Sequence, residues 1–494
     1  MADEPQQISL GAHLTELAKE RPDRPAVTDQ YRTVTWAALD RRTNRIARGL
    51  EKAGVKQGDL VTIGLPNGVD FIEACYGLWK AGATPQPISY RLPAHEAEAV
   101  MALAETPLLL AKDTIESARP RYDVDALLAL SDDDSPVEDK IAPIYKAPTS
   151  GGSTGRPKLI LSGGPGVVMR GQAVGGYRTS GDDVMIMPGP LYHNGPFTSS
   201  FGGLNVGAHL VVLPRFDAEA TLRAVDEHKG TWMYLVPTMM SRIWRLPEEV
   251  RLKYDVSSLK TVWHLAAPCP PWLKEAWIHW LGPEVIMELY AGTEAQAVTI
   301  ITGQEWLEHR GSVGKVAFGE MAAFDANGDR LPPGEIGEVY MRRPEGMPAS
   351  YQYRGASART LPGGWESLGD IGSFDEDGYL YLADRRTDMI LVGGSNVYPA
   401  EIEAALDEHP LVQSSAVIGL PDEEMGNVIH AIVQPREGLT EEALREHLRG
   451  MLVTYKQPRT YEFVTENIRD DAGKVRRTAL RDERIARMKA AEEG

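Results

Sequence analysis

Cysteine is nearly absent. Cys75 and Cys269 are the two in 494 residues. Two thiols cannot build a disulfide framework, and neither stands in a metal-ligand spacing. Basic charge is short as well: Asp and Glu outnumber Lys and Arg by 70 to 52, a formal net charge of -18. The chain therefore offers no basic footprint for nucleic acid. No apolar run approaches the length of a membrane span. Met1-Ala-Asp-Glu-Pro5 lacks the basic and apolar regions of a signal peptide. These absences lead to the expectation of a cytoplasmic protein with no nucleic-acid partner and no membrane span. Internal repeats and low-complexity segments are lacking too.

Glycine is plentiful, and nine residues concentrate its use: Ser150-Gly-Gly-Ser-Thr-Gly-Arg-Pro-Lys158. Glycines let backbone N–H groups approach a ligand, and hydroxyls and cations suit phosphate oxygens. The common nucleotide loop sets Gly-Lys-Ser/Thr at the head of a helix, whereas Pro157 precedes the Lys here. Gly151-Gly-Ser-Thr-Gly155 also satisfies Gly-x-Ser-x-Gly, the nucleophile elbow of hydrolases, which leaves a serine hydrolase using Ser153 as a rival. An elbow needs a helix straight after the Ser, and Pro157 permits only its first turn. Arg156 and Lys158 suit phosphates better than an ester.

Length alone calls for two or more domains. Leu39, Ile46, Ala47 and Leu50 share a helical face, and Gly54 suits that helix's end. Leu60–Leu65 reads as a buried strand, and Asn67 as the cap of a helix running to Lys80, whose apolar face takes Cys75. Leu108–Ala111, Val184–Met187, Leu210–Leu213 and Trp232–Val236 read as further strands, with a helix at Ala218–His228. Such alternation predicts mostly parallel α/β layers. Ser131–Lys140 reads as a solvated polar loop. From about Val313 to Met341 the pattern turns to short strands with Gly and Pro turns. After Asp384-Arg-Arg386, a charged connector, Glu401–Leu406 and Glu441–Leu448 read as helices and Ala416–Gly419 and Ile429–Val433 as strands. About a hundred residues suffice for a separate α+β domain.

Further motifs follow in order: Tyr290-Ala-Gly-Thr-Glu294 after the strand Val285–Leu289, Gly363-Gly-Trp-Glu-Ser-Leu-Gly-Asp370, Asp384 to Glu403, and Gly473-Lys474. With these in hand, the chain resembles the adenylate-forming superfamily of acyl- and aryl-CoA synthetases, peptide-synthetase adenylation domains and firefly luciferase. The resemblance runs from the opening helix to Lys474. It implies an α/β fold, with a large N-terminal domain of layered α/β subdomains plus a β-rich subdomain (residues 1–384) and a small mobile α+β C-terminal domain (385–494). It also implies ATP, Mg2+ and CoA as cofactors and leaves room for a homodimer.

The resemblance also assigns roles. Ser150, Gly151, Gly152, Ser153, Thr154, Gly155 and Lys158 would wrap the ATP phosphates, with Thr154 also near the chemistry and the metal. Tyr290 would stack on adenine beside Ala266, Ala267 and Pro268. Gly292 and Thr293 would meet the α-phosphate, and Glu294 would hold Mg2+. Asp370 would take the ribose hydroxyls with Arg385 as its partner. His193 would gate the carboxylate pocket. Lys474 would be the catalytic lysine, bridging two anions as they react. Gly393, Gly394 and Ser395 would line the pantetheine tunnel. Phe197, Phe201, Gly202, Gly203, Trp232 and Tyr234 are the expected acyl pocket.

The chain departs from the family pattern in places. Leu159 follows the phosphate loop where Gly is common. Thr387, with Asp388 next, fills the hinge. Ile468-Arg-Asp470 stands where Leu-Pro is frequent. Pocket entrances for α-amino acids usually carry an Asp, and His193 to Gly203 has none; no carrier segment follows before Gly494. The expected reaction is acid plus ATP to acyl-AMP, then CoA to acyl-CoA, with a bulky apolar acid. In phrase the chain is most similar to bacterial bile-acid or steroid-acid and fatty-acid CoA ligases. An adenylating amide or ester synthetase with a non-CoA acceptor is the alternative.

Overall fold

The computed structural model describes residues 7–112, 115–151, 157–169, 178–386, 388–392, 395–422, 425–470 and 473–492. Its largest element is a nine-stranded sheet. Six neighbours run parallel: Ile286–Ala291, Thr261–His264, Trp232–Leu235, Val184–Met187, His209–Val212 and Pro25–Thr28. Antiparallel strands close both edges, Val298–Thr302 with Lys315–Phe318 at one and Thr33–Thr35 at the other. A second, parallel sheet joins Thr84–Pro87, Leu60–Gly64, Leu109–Ala111 and Arg121–Tyr122. Parallel strands are buried on both faces, which is why they read as continuous apolar runs. One core spans these layers and buries Trp36, Trp79, Trp232, Trp263, Trp277 and Trp306.

The β-rich subdomain is an antiparallel sheet built from Glu320–Phe324, Gly337–Arg342, Arg359–Leu361, Trp365–Phe374 and Leu380–Arg385. The small domain has its own core. Val412–Asp422, Gly426–Pro435 and Thr460–Phe463 form its sheet, and the helices Pro399–Glu408 and Glu441–Arg449 contribute Ile402, Leu406, Leu444 and Leu448. The fold is thus mixed α/β with a large N-terminal and a small C-terminal domain.

Most local readings hold, and the exceptions have physical reasons. The helix Ala218–His228 is as expected, capped by Asp217, whose side chain accepts from the Ala220 N–H. Gly54 follows the helix Trp36–Lys52 with φ of 96°. Asn67 is not a helix cap. Gly68 takes that place before Val69–Lys80, and Asn67 instead donates to the carbonyls of Gly189 and Leu213 and accepts from the Leu191 N–H. It ties the helix start to the ends of two sheet strands. Asp384 and Arg385 are not a connector but the end of a strand, where Asp370 faces Arg385 in register. The acidic loop near Ser135 is exposed as expected, and its carboxylates make surface ion pairs. Asp132, Asp133 and Asp134 pair with Arg45, Arg48 and Arg41.

Candidate active site

Tyr234, Ala266 and Tyr290 lie at or just past the carboxyl ends of parallel strands, where α/β sheets bind ligands. The strand Ile286–Ala291 already contains Tyr290, so the ring is held by the sheet rather than by the loop after it. The Tyr290 hydroxyl donates to Asp370 Oδ2 at 2.6 Å, joining the central sheet to the β-rich one. Asp370 is 8% exposed. Across the strand turn, Gly292 has a steric reason. A Cβ there would stand 2.2 Å from Leu368 Cδ1 and 2.9 Å from Glu294 Oε2, so the glycine lets Glu294 fold back. Ala266 lies at φ of 75°, a left-handed conformation costly for a residue with a side chain. Strain of that kind clusters at functional sites, and here it falls in the segment expected to line adenine.

Glu294 is 5% exposed. It accepts a short hydrogen bond from the Tyr353 hydroxyl, and Lys158 Nζ stands 3.6 Å from it. Lys158 also lies 4.2 Å from the Tyr353 ring centroid. Tyr353 comes from the strand Tyr351–Arg354, which pairs with Pro157–Ser162, the strand that carries Lys158. Burial and the Glu294 charge push the Tyr353 phenol up, so it stays a donor. Sequence reasoning missed Tyr353, because a tyrosine in a strand carries no spacing signal.

A Mg2+ ion typically takes one or two carboxylates and completes its shell with water and substrate phosphates. Glu294 is one buried carboxylate in the segment 290–294. Among the described residues no cluster of three His, Cys, Asp or Glu forms a metal site of its own.

His193 precedes the helix Asn194–Asn205. Burial, helped by the Lys474 charge, pulls its imidazole down to about 3, so it is neutral. That Lys474 acts on His193 at all reports the placement of the small domain. Gly473 is buried against the large domain, where a Cβ would stand 2.5 Å from Thr238 Oγ1 and 3.4 Å from Val236 Cγ2. The turn is held by Asp470, whose Oδ1 accepts from the Lys474 N–H at 2.9 Å. Arg469 donates to the Gly473 carbonyl and to Glu403 and the Ser415 carbonyl. Arg477 donates to Glu403 and Asp388. The residues that depart from Leu-Pro thus anchor the lysine loop.

The expected acyl-pocket residues divide. Tyr234 packs on Gly195, two residues past His193: a Cβ there would stand 2.7 Å from its hydroxyl and 3.1 Å from Leu265 Cδ1. Phe197 and Phe201 are sealed in an aromatic cluster with Tyr76, Trp79 and Tyr145. Trp232 is fully buried. Gly203 turns to the sheet, where a Cβ would stand 1.9 Å from Met185 Sδ, so it is a packing position and not a cavity wall. Thr293 is half-buried and Ser395 exposed. Gly152, Ser153, Thr154, Gly155, Thr387, Gly393 and Gly394 lie outside the described residues, as do the side chains of Ser150 and Arg385.

The profile of the AMP-binding enzymes matches residues 14–351, and that of the AMP-binding enzyme C-terminal domain matches 401–474. A feruloyl-CoA synthase of Amycolatopsis sp is 31% identical, covering 96% of this chain and 98% of its own. A methyl-dioxo-octahydroindenyl-propanoyl:CoA ligase of Rhodococcus jostii is 30% identical, covering 97% and 99%. Among solved structures, the o-succinylbenzoate CoA synthetase of Bacillus subtilis in complex with its acyl-adenylate intermediate superposes with a TM-score of 0.80 at 25% identity, covering 97% of this chain and 99% of that one. The same enzyme is known with ATP and a magnesium ion. No helix among the described residues is long and apolar enough to cross a membrane. Two family profiles, matched in order along the chain, make this protein a member of the adenylate-forming AMP-binding enzymes.

Proposed function

We propose that this AMP-forming acid–CoA ligase takes a bulky, apolar, ring-bearing monocarboxylate. In the first step the acid's carboxylate oxygen attacks the α-phosphorus of ATP, and pyrophosphate leaves. In the second the CoA thiol attacks the acyl carbonyl of the adenylate, and AMP leaves. The observation that carries this reading is the seating of Gly473 on Val236 and Thr238, which brings the Lys474 charge to bear on His193. A cation there stabilises the charge shared by two anions as they react.

The other roles follow from the cleft. Lys158 takes phosphate oxygens, and Asp370 exchanges the Tyr290 hydroxyl for those of ribose. Glu294 holds Mg2+, with Thr154 as the second candidate ligand. Bound there, the ion would offset phosphate charge. Arg385 partners Asp370, and Gly393 to Ser395 receive the pantetheine arm. The domain boundary falls at Asp384 and Arg385.

The acid is argued from its surroundings. Tyr234 and Leu265 meet at Gly195, a position without a side chain. No carboxylate between His193 and Gly203 waits for an amine. The relatives named for feruloyl, o-succinylbenzoyl and octahydroindenyl groups all handle ring-bearing acids. The test is pyrophosphate release over a panel of octanoate, cinnamates, steroid side-chain acids and α-amino acids, with CoA or amines as acceptor and products identified by mass. Ring-bearing acids and CoA thioesters are expected. A preference for α-amino acids, or amide products, overturns the assignment.

A further inference from the structure

Three lysines are buried among the described residues: Lys80, Lys146 and Lys274. Two have carboxylates. Lys80 Nζ lies 2.6 Å from Asp40 Oδ1 and 2.6 Å from Asn44 Oδ1. Lys274 Nζ lies 2.5 Å from Glu288 Oε2. Lys146, 6% exposed, has none. Its ammonium makes a short hydrogen bond to Asn194 Oδ1, and among the described residues Asn194 is its one hydrogen-bond partner. Otherwise it faces rings, 5.9 Å from the centroids of both Tyr145 and Phe197. An ammonium has three N–H donors, and a buried cation without a counter-charge is costly.

The carboxylate that acts on Lys146 from a distance is Glu294. Its oxygens are already engaged by Tyr353 and Lys158. His193, next to Asn194 in sequence, is neutral and supplies no anion. Burial, opposed by Glu294, pulls the Lys146 ammonium down to about 7, so an arriving anion would restore its charge. The missing partner is an anionic oxygen that enters with substrate. Two sources exist, the acid's carboxylate and the ATP phosphates. Asn194 stands between His193 and Gly195, at the acyl side of the cleft, while Lys158 already serves the phosphate side.

We propose that Lys146 is an acid-recognition residue whose ammonium takes one oxygen of the substrate carboxylate and holds it for attack on ATP. The proposal rests on the ligase reading above and deepens it.

The test uses Lys146→Met and Lys146→Gln in the full chain. The probe is whichever of octanoate, ferulate or cholate gives the wild type its fastest pyrophosphate release. The expected result is a tenfold or greater rise in KM for that acid, with KM for ATP within twofold. The primary amide of the same acid, assayed as a competitor, should bind the wild type at least tenfold more weakly than the acid does and both variants about equally. An unchanged KM for the acid, or KM for acid and ATP rising together, overturns the proposal. Lys146→Gln keeps a donor for Asn194 and guards against misfolding of Lys146→Met. If both variants fail to fold, Lys146 is a structural lysine and the proposal falls. If instead the wild type turns over no acid in the panel, it is the ligase reading that fails.

Discussion

Lys474 owes its position to its neighbours more than to itself. Gly473 turns at φ of 76°, and Arg469 and Asp470 tie the loop to the rest of the small domain. Lys474→Ala should lower acyl-AMP formation on the order of 10²-fold or more, the scale of losing one transition-state charge partner. Thioester formation from supplied acyl-AMP should stay within about threefold of wild type; equal losses in both half-reactions would count against the assignment. A different residue reports on pH. His209 donates to or accepts from Thr28 Oγ1 at 2.7 Å, and burial pulls it down to about 4. Unfolded, it titrates near 6.5. Between those values the unfolded chain binds the extra proton, so this contribution is complete above pH 6.5 and is lost as pH falls toward 4. Replacing His209 by Gln should flatten the stability profile there by roughly 1 kcal/mol per pH unit, read by urea unfolding at pH 4.5 to 7. Parallel profiles would sink it. Lys474, Glu294 and Asp370 stand out in the sequence because each sits in a glycine-bearing motif. Tyr353 and Lys146 do not. One is an ordinary strand tyrosine and the other lies in a plain stretch before the phosphate loop, and both gain meaning only through partners distant in the chain, Glu294 and Asn194.

The helix Asn194–Asn205 shows what periodicity resolves and what it leaves open. Its glycines read equally as room for an acid or as room for a neighbouring strand. They pack on different neighbours: Gly195 lies against Tyr234, and Gly203 against Met185 of the strand Val184–Met187. Overfilling a packed site costs about 1–3 kcal/mol. Gly203→Leu should therefore lower stability by at least that much, measured by chemical denaturation, and leave the ranking of acids by size unchanged. A reordered ranking without a stability loss would return Gly203 to the pocket. The same ambiguity explains the other misreadings. Asp384 and Arg385 are charged, so they read as a linker, yet they extend Leu380–Arg385 because Asp370 needs a strand partner. Polar residues that pair across a sheet leave no apolar alternation to see. Elements with a cap and a clean period, such as Ala218–His228, were legible to the residue.

At the scale of the molecule, the two domains touch through Arg245 as well as through Gly473. Arg245, just past the helix Pro237–Trp244, reaches across and donates to the Asp407 carbonyl at 2.5 Å. Its guanidinium is half-buried near the Trp272 ring, and burial lowers its pKa. If the small domain turns between half-reactions, this bond exists in one of them. Arg245→Met should slow acyl-AMP formation about tenfold or more, a hydrogen bond to a charged group being worth about 1.5–3 kcal/mol, and leave thioester formation from supplied acyl-AMP unslowed. Equal slowing of both steps would show that Arg245 merely stabilises its own domain. The acceptor is a main-chain oxygen in the helix Pro399–Glu408. Every residue type presents that oxygen, so substitution at 407 leaves the acceptor in place, and only a change in the helix's path removes it. At this contact the acceptor is set by backbone shape, whereas the seat of Gly473 on Val236 and Thr238 is set by residue identity. A small domain grafted from a distant relative with the same helix would offer Arg245 the same acceptor, yet it would fit only if it also brought a glycine to rest on Thr238.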